Sequence, residues 1–71
     1  MNDYEVTLVA KIQHFYEMIG ERIRKYEDAC LGAMGDLDEM QYKAILLELI
    51  YLDKEFAKVF EGIVYREDQE Q

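Results

Sequence analysis

The feature that most constrains this chain is a single interruption. Gly32-Ala33-Met34-Gly35-Asp36 lies near the middle of a 71-residue sequence that contains no proline, so nothing else forces a break. A helix ending near Gly32 and another starting at Asp36 or Asp38 follow from the usual stop and start signals. Asp38 is the better cap on paper, with Gln41 as capping-box partner and Leu37 and Tyr42 in the staple positions; Asp36 with Glu39 offers a competing box. Asn2 and Glu5 have the same box spacing at the start of the first helix. The expected fold is all-α, an antiparallel two-helix hairpin completed by association with another subunit. It forms one domain: a helix over about 3–32, a turn over about 33–37, a helix over about 38–66 and a frayed polar tail over 67–71.

Winding each segment at about 100° per residue shows where its apolar residues fall. In the first helix Leu8, Val9, Ile12, Tyr16, Ile19, Ile23, Tyr26 and Cys30 form one stripe, slightly widened by Phe15, Ala33 and Met34. Lys11, His14, Glu21, Lys25 and Asp28 lie opposite. The second helix carries two stripes. Ile45, Leu49, Leu52, Phe56, Val59 and Ile63 make the equivalent of the first; Leu46, Ile50, Ala57, Phe60 and Val64 run beside it. Together they span roughly half the circumference, well beyond the ~100° that one packed face requires. Burying a Leu, Ile or Phe is worth about 1.5–3 kcal/mol, so a wet stripe forfeits several kcal/mol in a chain with little margin. The surplus stripe is therefore expected to meet another protein, through Leu46, Ile50, Asp53, Ala57, Phe60 and Val64.

Size points the same way. Chains of this length are marginal unless stapled. One cysteine allows no intrachain disulfide, and no Cys/His cluster offers a structural zinc site. With 51% hydrophobic and 34% charged residues the composition suits an amphipathic helical protein rather than a disordered one. The net charge of −8 argues against nucleic acid and anionic membrane as partners, and first of all serves solubility. Met-Asn-Asp-Tyr-Glu has neither a basic leader nor an apolar core, so no signal peptide is expected. The apolar run from Ala44 to Leu52 is broken by Glu48 and is far short of the ~20 residues of a membrane helix, so no membrane insertion is expected. A free Cys30 fits a reducing cytoplasm.

Catalysis needs groups poised in a pocket, and a two-helix hairpin has no concavity of its own. No enzymatic activity, cofactor, metal or small-molecule substrate is expected. His14 falls on the polar face, and His14-Phe15-Tyr16-Glu17 reverses the Glu-x-x-His order of bundle di-iron sites. Glu17, Glu21, Glu48 and Asp53 bear a distant likeness to the magnesium-holding glutamates of helical nucleotide pyrophosphohydrolases, but their spacing does not match. Cys30, mid-stripe, reads as a small hydrophobe. Tyr51 and Tyr65 fall outside the stripes and hint at an interface. Asp53 stands inside the apolar arc of the second helix. It marks a wet rim between core and partner, or it pairs with a basic residue or a tyrosine hydroxyl.

Gly35-Asp36 in the turn, Gln41-Tyr42 opening the second helix, and the run ending Ile63-Val64-Tyr65-Arg66 carry a resemblance over roughly the second half of the chain. There it resembles the smallest co-chaperones of bacterial type III secretion. The resemblance implies a cytoplasmic hairpin that docks on a larger tetratricopeptide-like chaperone and helps it hold the needle subunit in a ternary complex, preventing premature polymerisation. It also implies little contact with the needle subunit itself. By binding only the folded partner, such a chain stabilises that partner through mass action. The alternative is self-association, a homodimeric four-helix bundle acting as a regulator or a phage-type acidic inhibitor.

Overall fold

A computed structural model describes residues 2–66. Two helices, α1 (Asp3–Leu31) and α2 (Asp36–Val59), form an all-α hairpin, and no strand occurs among the described residues. Tyr26 meets Tyr42 beside the turn and Tyr16 stacks on Phe56 further along, so the two helices run antiparallel. The fraying expected of 67–71 lies outside the described residues.

α1 starts with the expected capping box. The Asn2 side chain accepts from the Glu5 N–H at 2.8 Å, and the Glu5 carboxylate accepts from the Asn2 N–H at 3.3 Å. At its other end the Gly32 N–H reaches the Asp28 carbonyl at 3.0 Å. α2 begins at the earlier of the two expected positions. Gly35 is the N-cap and supplies no side-chain bond, while Asp36, Asp38 and Glu39 occupy the first turn, where carboxylates are favoured by the exposed N–H groups. Leu37 stands exposed, so the staple expected with Tyr42 is not made.

The larger departure is at the C-terminus. α2 was expected to run to about residue 66 and instead stops at Val59. Gly62 adopts φ +87°, a left-handed conformation that glycine takes without penalty, and the Ile63 and Val64 N–H groups fold back onto the Phe60 carbonyl at 2.9 and 3.3 Å. Residues 63–66 then return along α1 as a strap. The Gln13 side chain holds that strap through both backbone groups of one residue: it donates to the Tyr65 carbonyl at 2.8 Å and accepts from the Tyr65 N–H at 3.1 Å.

Between the helices runs a seam with alternating three- and four-residue steps, the pattern of a coiled coil. α1 supplies Val9, Ile12, Tyr16, Ile19, Ile23, Tyr26 and Cys30; α2 supplies Tyr42, Leu46, Leu49, Asp53, Phe56 and Phe60. Among the hydrophobic side chains of the described residues only Tyr16 (2% exposed) and Ile19 (5%) are fully buried. The rest of the seam is half-buried, because a single helix shields each side. The accessible surface is 5863 Å², against about 4,700 Å² for a compact monomer of 8.5 kDa. The radius of gyration, 14.9 Å, likewise exceeds the ~11 Å of a compact domain of this length. No helix among the described residues is long and apolar enough to cross a membrane.

Candidate protein-binding face

A hairpin of two helices has two broad faces, one on each side of its seam. Here they are built differently. Positions just after seam residues share one face: Gln13 and Gly20 of α1 beside Ile50 and Ala57 of α2. The strap lies on this side. Arg66 crosses the seam there, with its guanidinium 3.7 Å from the centre of the Tyr16 ring and donating to the Tyr16 carbonyl. It also reaches Asp53 at 2.6 Å. A Cβ on Gly20 would sit 2.8 Å from the guanidinium carbon, so the close approach of Arg66 depends on the bare α-carbon of Gly20.

Asp53 is thus explained inside the chain. It occupies a seam position, and its side chain and that of Arg66 are only 13% and 11% exposed. Of the two readings open to the sequence, pairing with a basic residue is the one the structure displays. The pair is close but poorly directed: Asp53 Oδ1 and Arg66 Nε are shielded from solvent and neither makes a hydrogen bond of good geometry. Such a pair contributes little net stability while intact, yet leaves a costly buried charge when one partner is removed.

The six residues given a binding role from sequence fall on or beside this covered side. Leu46, Asp53 and Phe60 lie in the seam, Ile50 and Ala57 lie next to it towards the strap, and Val64 is part of the strap; all six are half-buried. In a two-helix molecule only α1 and the strap can cover them. Their stripe is the one the hairpin uses for itself, so the surplus falls to the other stripe.

That other stripe lines the open face. Positions just before seam residues come together there: Leu8 and Phe15 of α1 beside Ile45, Leu52 and Val59 of α2. Phe15 is stacked on Phe56 with ring centres 5.4 Å apart, yet stays half exposed. Leu52 is 46% and Val59 71% exposed. Ala44, Ile45, Glu48, Leu49, Tyr51 and Leu52 line a shallow, mostly apolar groove of about 500 Å³ on the α2 side. Exposed single hydrophobics are ordinary; a contiguous row on one side is the mark of a contact surface.

No protein-family model, curated protein or solved structure matches the chain.

His14, Glu17, Glu21 and Glu48 are exposed, Cys30 is a half-buried free thiol, and Tyr51 and Tyr65 are exposed. Among the described residues no group of three or more His, Cys, Asp or Glu is placed to hold a metal ion. Sequence reasoning missed Arg66 as the partner of Asp53. The available signal was Gly62, a helix stop four residues before an arginine, followed by β-branched Ile63 and Val64.

Proposed function

We propose that this chain acts by binding rather than catalysis, as a small cytoplasmic co-chaperone whose open face docks on a larger helical-repeat chaperone. The observation that supports this reading is the asymmetry of the hairpin. One broad face is closed by the chain's own strap, and the other presents Leu8, Phe15, Ile45, Leu52 and Val59 to solvent. Covering that row removes several large apolar side chains from water, each worth about 1.5–3 kcal/mol when fully buried. A hairpin with two fully buried hydrophobic side chains among its described residues is itself stabilised by such a contact. The resemblance to type III secretion co-chaperones supplies the identity of the partner: a tetratricopeptide-like chaperone that holds the needle subunit in the bacterial cytoplasm.

The test is co-expression with a tetratricopeptide-like chaperone of a type III needle subunit, followed by isolation of the complex. A stoichiometric complex that survives Ile50→Val but is lost with Leu52→Asp supports the reading. No complex with such a chaperone, or one indifferent to Leu52→Asp, overturns it.

A further inference from the structure

The open face has a charge pattern that its apolar row does not explain. The ring contacts of Tyr26 with Tyr42 and of Tyr16 with Phe56 fix the register between the helices, and with it the residues that share this face. From Tyr4 to Ala29, the α1 positions on it hold Lys11, Arg22 and Lys25 and no acidic residue. From Asp38 to Val59, the α2 positions hold Asp38, Glu48 and Glu55 and no basic residue. In a chain with 16 acidic and 8 basic side chains, that run of basic residues is a departure from the background, with Glu21 the one carboxylate at its outer edge, in a groove with Met18, Arg22 and Lys25. Among the described residues Lys11, Arg22 and Lys25 make no ion pair, and Glu55 meets Lys58 in an exposed contact at 3.8 Å. The face is an apolar centre with a basic border on one helix and an acidic border on the other.

We infer that the open face is the seat of a second copy of this chain, packed about a two-fold axis parallel to the helices. That axis lays each α1 over the α2 of the other copy, antiparallel to it, as a four-helix bundle. Each residue keeps its height along the axis, so Arg22 of one copy stands level with Glu48 of the other. Lys25 falls about one turn from Glu48, and Lys11 more than a turn from Glu55. The other face-to-face arrangement, with the axis across the helices, sets α1 on α1 and brings Lys11, Arg22 and Lys25 against a second basic border. Like charges along the whole contact disfavour it. The size is adequate. A face about 36 Å long and two helices wide covers roughly 700 Å² on each copy, about 1,400 Å² in total, within the range of stable interfaces.

This inference does not depend on the co-chaperone reading. A larger chaperone that uses the open face competes with the second copy, so either association can fail without the other. The test is sedimentation equilibrium on the purified full chain at low salt, with helicity followed by circular dichroism. The parent chain is expected to be a dimer in equilibrium with monomer. Arg22→Glu and Glu48→Arg should each weaken it about tenfold, and the two together should restore affinity to within about threefold of the parent. That rescue also separates a lost contact from a failure to fold. A chain that stays monomeric at every concentration overturns the inference. So does Arg22→Glu leaving the dimer unchanged or tightening it, the latter being the mark of α1 on α1.

Discussion

The strapped face and the open face start from the same materials and end differently. Both are bordered by aliphatic residues at seven-residue intervals on α2: Ile50 and Ala57 on one side, Ile45, Leu52 and Val59 on the other. What separates them is the five residues from Gly62 to Arg66. Gly62 turns the chain back, Gln13 holds the Tyr65 peptide, and Arg66 closes over Tyr16, Gly20 and Asp53. A helix that carried on to residue 66 would have left both faces open and Asp53 unpaired in the seam. The lesson is that a charged residue in a seam selects a side: the segment bringing the counter-charge must come from there, and the opposite face stays free.

The largest effect should come from removing that difference. Arg66→Ala leaves the Asp53 carboxylate in an apolar seam and strips the strap of its anchor. The expected loss is about 3 kcal/mol, a large share of the margin of a chain this small, read by urea or thermal melting. A variant as stable as the parent would mean that the strap does not define the covered face. Next, matched charges on the two faces should separate folding from association. Ile50→Asp is expected to cost the hairpin about 2 kcal/mol, whereas Leu52→Asp costs it no more than about 0.5 kcal/mol and abolishes association. Circular dichroism with light scattering reads both.

A smaller effect sharpens the account of Gly20. Glycine inside a helix costs about 1 kcal/mol relative to alanine, so Gly20→Ala should stabilise α1 wherever Arg66 is absent. In the parent the new Cβ must push the guanidinium aside, and the gain should largely vanish. Comparing Gly20→Ala in the parent and in the Arg66→Ala background isolates that coupling. Smallest of all should be Asp53→Leu combined with Arg66→Met. Replacing the pair by apolar side chains is expected to leave stability unchanged or raised by about 1 kcal/mol in the same melts.

Much of this was legible in the sequence. The glycine-rich break located the turn, Asn2 and Glu5 gave the cap they have, and the α1 stripe from Val9 to Cys30 is the seam. Leu8 is the exception, lying exposed on the open face. What periodicity could not supply was the phase of α2. Both of its stripes repeat at helical spacing and both are rich in Leu, Ile and Phe, so either satisfies a packing face equally well. The choice is made by contacts between residues far apart in sequence, Asp53 with Arg66 and Gln13 with Tyr65. These in turn rest on one glycine conformation. A fold with few fully buried side chains has its inside and outside set by a handful of polar contacts, which hydropathy does not register.

The assignment of the open face can be tested without charged substitutions. In a Cys30→Ala background, Ile50→Cys and Leu52→Cys each place one thiol on one side of α2, and its rate of alkylation is followed as protein concentration rises. The expected result is that the thiol at 50 reacts slowly at every concentration, covered by its own chain. The thiol at 52 should react fast when the protein is dilute and become protected as it associates. The opposite pattern, with position 50 gaining protection on association and position 52 reactive throughout, would contradict the assignment of the two faces.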